Sequence, residues 1–366
     1  MKLAGDRLFA IITLLLVSGG LAVFFSASLG VLASGTVSLS RIAITQLVLG
    51  LVLGLGALVA LRFTPYRQLS RYAFPVYVGT LLFTLLVFVP GIGASANGAS
   101  RWIDVRFTTI QPAEFLKFGV ILFFAAYLAK NQRRLSEWKV GLLGFAGIVG
   151  VPAVILLAQP NTSTTFIVGV TCFLMYFLSG APLRDFAIII AIGVIGVGSL
   201  IAVRPYALAR ITTFLHPASD PTGAGYQIQQ ALIAIGSGRV IGRGFGQGVQ
   251  KFNYLPDPIG DSVFATMGEE FGFIGSVLFV LLFVAFMLRG LAIAGQSADL
   301  FGALLVIGLT LTISLSAFVN MGAMLGILPL TGLPLPFVSH GGTALMMALA
   351  SVGLILNVAA RRSKAR

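Results

Sequence analysis

Few residues in this chain are equipped for chemistry, and they fall in separated clusters. Glu114 and Lys117 lie in Gln111-Pro112-Ala113-Glu114-Phe115-Leu116-Lys117, where Pro112 suits a first helical turn. Their i, i+3 spacing puts both on one helix face, where they can pair. Charge inside a membrane span is costly and normally faces a cavity or a partner, so the pair is a catalytic candidate. The competing reading is a structural ion pair near the membrane surface. Asp261 stands just before an apolar stretch, where desolvation would raise its pKa and suit it to base catalysis. Aspartate is also a helix cap, and residue physics alone does not choose Asp261 over Asp257.

The remaining clusters are less pointed. Asn97-Gly98-Ala99-Ser100-Arg101-Trp102-Ile103 sets a cation beside an indole, which fits phosphate binding or simple interfacial anchoring. The glycines between Asp220 and Gln227, in Gly236-Ser237-Gly238-Arg239, and from Gly242 to Gly248 could aim N–H groups at a pyrophosphate. They do not follow a strand, so they read first as turn punctuation. Glu269 and Glu270 suit a helix's first turn. The segment from Leu328 to Thr343 holds three prolines and three glycines. Such irregular apolar backbone at membrane depth must line a cavity or be covered by protein. Its His340 reads as a hydrogen-bonded structural group, outside the catalytic set.

These clusters need long apolar elements to position them. Hydrophobic residues make up 57% of 366 positions and charged residues 10%, against about 25% charged in soluble domains. Apolar runs near Leu8–Ala33, Ile42–Leu61, Tyr72–Val89, Ile110–Leu128, Val140–Leu157, Thr164–Leu178, Phe186–Val203, Phe271–Arg289, Phe301–Ile327 and Ala344–Val358 predict ten transmembrane helices. The fold class is all-α and polytopic, a single integral membrane domain over 1–366. Continuous runs exclude an outer-membrane barrel, whose strands alternate. The first run starts basic but lacks a clean cleavage site, so it is expected to stay as a helix. Cys172, the single cysteine, lies in an apolar run and forms no intrachain disulfide.

The net charge of +13 does not point to nucleic acid, because it is dispersed in short clusters between the runs. Fifteen basic residues fall on the side of the N-terminus and eight on the other. The positive-inside rule then puts both termini in the cytoplasm. The connection from about Arg204 to Glu270 becomes a long extracytoplasmic loop holding five of the eleven acidic residues. Long connections of this kind are usually functional. No internal repeat is visible, which disfavours a secondary transporter.

Taken in order, Asn97–Ile103, Gln111-Pro112 with Glu114 and Lys117, Asp220 to Gln227, Ala234 to Gly238, Leu255-Pro256 with Asp261, Glu269-Glu270, and Asn320 through Gly342 resemble the SEDS family (shape, elongation, division and sporulation). That resemblance implies a ten-span bacterial inner-membrane peptidoglycan glycosyltransferase. Two lipid II molecules would react at the outer face, the acceptor 4-hydroxyl attacking the donor's anomeric carbon with inversion. Undecaprenyl pyrophosphate would leave and a β-1,4 glycan strand would grow. The family's essential aspartate maps onto Asp261 as general base, and Glu114 and Lys117 match its cavity pair. Arg101, Lys117 and Arg210 are expected to balance pyrophosphate charge, with Gln111 and Ser339 as further substrate contacts. No cofactor is firmly implied, although a divalent cation, Mg or Mn, would suit the same balance. The implied partners are a class B penicillin-binding protein transpeptidase and the division or elongation machinery.

Three departures stand out. Family Gln-Pro-Asp-Leu-Gly is Gln159-Pro160-Asn161-Thr162-Ser163 here, His-Thr-Asp is Ile259-Gly260-Asp261, and Ser-Tyr-Gly-Gly is Ser339-His340-Gly341-Gly342. None removes Asp261. Gly91-Ile92-Gly93, Gly246 to Lys251, and Gly268-Glu269-Glu270 favour the division branch over the elongation branch. The alternatives are a lipid II flippase and a structural scaffold for division proteins.

Overall fold

The computed structural model describes residues 6–33, 42, 44–96, 99–105, 108–203, 205–217, 220 and 223–361. Asn97 and Gly98 of the first loop motif, the basic residues Lys2, Arg41, Arg106, Arg204, Arg362, Lys364 and Arg366, and the Pro221-Thr222 pair lie outside them.

The apolar runs form helices because each is long, continuous and poor in charge, with Glu114 and Lys117 paired on one face of the fourth. Helix α1 is Arg7–Ala33, α2 Ile44–Phe63 and α3 Tyr66–Leu85. Next comes an antiparallel meander of β1 (Gly93–Ala96), β2 (Ala99–Val105) and β3 (Thr108–Ile110). Helix α4 is Pro112–Asn131, α5 Leu142–Ala158, α6 Thr162–Leu178 and α7 Leu183–Val203. Helices α8 (Pro205–Leu215) and α9 (Ala224–Ser237) are short. The chain ends with α10 (Val263–Gly295), α11 (Leu300–Met324) and α12 (Gly342–Ala360).

Among the described residues eight helices are long and apolar enough to cross a membrane, and α5 and α6 are shorter apolar helices. Together they occupy the ten expected runs. Two starts differ. Helix α3 begins at Tyr66 rather than Tyr72, and α10 begins at Val263, although its backbone breaks at Gly272, where the expected run from Phe271 starts. The expected loop from 204 to 270 is therefore corrected: it contains α8, α9 and the first two turns of α10, with an irregular stretch from Gly238 to Ser262 between α9 and α10.

Helices α4, α11 and α12 form the centre, with 67%, 67% and 78% of their apolar windows buried against 6% for α7. Helix α2 lies close along α12, because Gly50 and Gly54 let its backbone meet Leu345 and Leu349. At one end of the bundle Asp6 caps α1 and takes a forked bond from Arg289 of α10, at 3.0 and 2.6 Å. There Asp299 caps α11 and receives Tyr66 and Arg67 of α3. The other end gathers the N-termini of α4, α6, α10 and α12, and there the candidate groups meet.

Candidate active site

A cavity of about 750 Å³ opens at that end. Strand β2 contributes Arg101 and Trp102, the head of α4 contributes Gln111 and Glu114, and α8 contributes Arg210. Asp257, Asp261 and the Gly332–Pro334 stretch close the wall. Five of the seven expected site residues therefore share one space, drawn from positions 101 to 261.

Asp261 is set by a tight backbone knot. Asp257 sits at φ 45, and its carbonyl accepts the Gly260 and Ser262 amides at 3.1 and 3.3 Å. Its carboxylate turns back to accept the Asp261 amide at 3.3 Å. A Cβ at residue 260 would collide with that carboxylate, so the glycine is required once Asp257 adopts this pose. Asn320 of α11 donates its side-chain amide to the Asp261 carbonyl at 2.8 Å and to the Leu333 carbonyl at 2.7 Å. Gln227 of α9 donates to Asp261 Oδ1 at 3.0 Å and to the Ser262 hydroxyl at 2.9 Å.

Both carboxyl groups open on the cavity, Asp257 exposed and Asp261 half-buried. Desolvation by the protein packed around it raises Asp257. Burial first, and then the Asp257 charge, push Asp261 up to about 7, while Gln227 and Arg210 pull it down. A carboxyl group that titrates near neutral pH is suited to taking up a proton as a general base.

The Glu114–Lys117 pair closes the cavity floor. Pro112 occupies the first turn of α4 and the Gln111 amide donates to Thr343 Oγ1 at 3.2 Å, docking α4 on α12. Lys117 Nζ meets Glu114 Oε1 at 2.8 Å with both side chains nearly sealed. Below them lies a small pocket of about 40 Å³, lined by Phe118, Ile121, Leu309 and Met347 among others. Glu114 borders both spaces, whereas Lys117 borders only the lower one.

Arg101 and Arg210 line the cavity from different walls. The Arg101 guanidinium is held by the Gln159 and Pro160 carbonyls, which ties the β-meander to the α5–α6 turn. Arg210 reaches Ser163 at 3.5 Å. Asn161, standing where family members carry an acid, accepts the Thr164 amide as the α6 cap.

Ser339 is placed differently from expectation: it lies off the cavity lining. Its hydroxyl receives the Leu335 amide at 2.8 Å and donates to the Gly260 carbonyl at 2.5 Å, so it holds the Asp261 loop from behind. His340 does line the cavity, stacking on Phe24 with centroids 6.0 Å apart. Glu269 and Glu270 face away from it. Glu269 accepts the Val249 and Gln250 amides, and Glu270 pairs with the sealed Lys251 at 2.6 Å beside Ser26 of α1. Gln227 and Asn320 both lie in quoted motifs, but their role in gripping Asp261 was not visible from spacing.

The residues present do not build a metal cage. Among the described residues no group of three His, Cys, Asp or Glu side chains converges.

Fold and site together define a polytopic membrane protein with an acid- and arginine-lined cavity at one end of its bundle. The chain belongs to the cell cycle protein family of FtsW, RodA and SpoVE, which matches residues 6–364. It is 37% identical to stage V sporulation protein E of Bacillus subtilis (strain 168), over 98% of this chain and 97% of that one. A probable peptidoglycan glycosyltransferase FtsW of Geobacter sp. (strain M18) is 38% identical over 81% of each. Among solved structures, a chain from work on structural coordination of polymerization and crosslinking by a peptidoglycan synthase complex superposes with a TM-score of 0.80 at 28% identity, covering 99% of this chain and 100% of that one. The rod shape determining protein RodA of Thermus thermophilus superposes with a TM-score of 0.70 at 25% identity, over 99% and 98%.

Proposed function

We propose that this protein is a peptidoglycan glycosyltransferase that polymerises lipid II at the outer face of the bacterial cytoplasmic membrane, with both termini inside. The observation that carries the reading is Asp261: a carboxyl group pushed up to about 7, on the wall of a polar cavity that also presents Arg101 and Arg210. Asp261 takes the proton of the acceptor 4-hydroxyl as that oxygen bonds to the donor's anomeric carbon. The bond to the pyrophosphate oxygen breaks, and the two guanidinium groups offset the charge growing on it. Attack opposite the leaving group inverts the anomeric carbon and yields the β-1,4 linkage.

The floor argues for polymerisation over transport. Beneath Glu114 and Lys117 lies a separate, mostly apolar pocket of only about 40 Å³. The proposed partner is a class B penicillin-binding protein, which would cross-link the strand as it forms. The FtsW relatives favour the division branch, while the B. subtilis relative carries a sporulation name.

The test is purified protein, with and without its cognate transpeptidase, incubated with labelled lipid II and compared with Asp261→Ala. Glycan strands that vanish in the variant support the reading. Lipid II crossing liposomes without any polymer, even with partner and divalent cations present, would replace it with a flippase.

A further inference from the structure

Asp261 is gripped asymmetrically. Its Oδ1 accepts from Gln227 Nε2 at 3.0 Å, and the same nitrogen serves the Ser262 hydroxyl at 2.9 Å. An amide nitrogen carries two hydrogens, so both are engaged. The other oxygen, Oδ2, lies on the side of Gly332, where an added Cβ would come into ordinary contact with it at 3.8 Å. Gly332 sits at φ 63, a conformation that keeps a side chain from this wall. One carboxylate oxygen is therefore tied to Gln227, while the other lies on the Gly332 side of the cavity that Asp261 lines.

We infer that Gln227 is a positioning residue that ties down Oδ1 of Asp261 and so selects Oδ2 as the oxygen that takes the acceptor's proton. Gln227 is well placed for the task, since α9 packs along α10, the helix that follows the Asp261 loop. It sits four residues into α9, and the fixed helix transmits the position of its side chain. A carboxylate free to rotate would present its oxygens in varied directions, and a misplacement of about 1 Å can cost roughly 100-fold in rate. The hydrogen bond also favours the ionised form of Asp261. The charged and titratable groups facing Asp261 are Asp257 from its own loop, Arg210 from α8, Asp220 ahead of α9, and Arg101, Glu114 and His340 around the cavity.

The role rests on the reading of Asp261 as the base, and the experiment separates the two. Polymerisation of labelled lipid II is followed against pH for wild type, Gln227→Ala, Gln227→Glu and Asp261→Ala, each checked for a monodisperse detergent-solubilised peak. Gln227→Glu keeps the side chain's shape while replacing the donor, so it reads the role even where the alanine variant fails to fold. The expected result is a kcat lowered about 10- to 100-fold with KM nearly unchanged, and an acid limb displaced to higher pH, further for Glu than for Ala. Wild-type kcat and an unmoved limb in both Gln227 variants, with Asp261→Ala inactive, would leave the base standing and overturn the positioning role. Polymerisation surviving in Asp261→Ala would overturn the base assignment itself.

Discussion

The Asp257 carboxylate fills the space in which a side chain at residue 260 would begin, so these two positions are sterically linked. Asp257 can turn back to its own loop only because residue 260 ends at its Cα. The Ile259-Gly260-Asp261 departure from the family's His-Thr-Asp thus has a local cause in this chain.

Gly260→Ala should displace the Asp257 carboxylate and with it the Asp261 amide it binds. Polymerisation is expected to fall about 10- to 100-fold. Adding Asp257→Gly should restore part of the loss, since residues in contact do not act additively. Strand yield across the double-mutant cycle decides it: purely additive losses would refute the steric link.

Ionisation of Asp261 sets two opposite pH trends. As the base it must be deprotonated, so activity should rise as pH increases through about 7 and then level. Its folded pKa lies above the unfolded value of about 3.9, so the native state holds the proton more tightly and stability declines from roughly pH 4 to 7. Asp261→Asn removes that cost. Its melting temperature should exceed wild type at pH 8, by about 1–2 kcal/mol of stability, and match it near pH 4. Equal gaps at both pH values would contradict the assignment.

Breaking the Glu114–Lys117 pair on one side strands a nearly sealed charge. Lys117→Met or Glu114→Gln alone should cost about 3–5 kcal/mol, and the double variant less than either. Thermal unfolding in detergent measures this, and strand synthesis measures whether the pair also serves the reaction. A double variant that is stable yet inactive would mark the pair as functional.

Lys251 is fully sealed against Glu270 and Ser26, joining the irregular stretch to α1 and α10. Lys251→Met should loosen that stretch and speed trypsin cleavage after Arg239 and Arg243, which already lie at the surface. Faster cleavage there, at unchanged cleavage elsewhere, is the expected pattern.

Much of the architecture was legible because membrane helices announce themselves by length and apolarity, and each expected run holds a helix. What stayed hidden was non-local. Helices α8 and α9 are too short and mixed to stand out from a polar connection, and β1 to β3 are held by pairing across turns. Glu114, Arg101, Arg210 and Asp261 were found from sequence, but their meeting depends on the head of α4, strand β2, helix α8 and the loop before α10 converging on one cavity. Ser339 shows the reverse limit: a hydroxyl in the right motif binds the backbone behind the base instead of facing the cavity. Residue physics alone leaves Asp257 and Asp261 open and the family resemblance points to Asp261; the proposal of Asp261 as base draws further support from its hydrogen bond with Gln227.

Helix α10 counts 33 residues, but Gly272 at φ 66 breaks it, and the Phe273 and Ile274 amides bond instead to the Arg239 and Val240 carbonyls. An unbroken helix of that size would be about 50 Å long, far beyond a hydrocarbon layer of about 30 Å. From Gly272 onward it measures about 36 Å, which a modest tilt fits to the bilayer. The break thus resolves a hydrophobic mismatch, giving lipid a span of ordinary thickness while the segment before it follows the protein rather than the membrane.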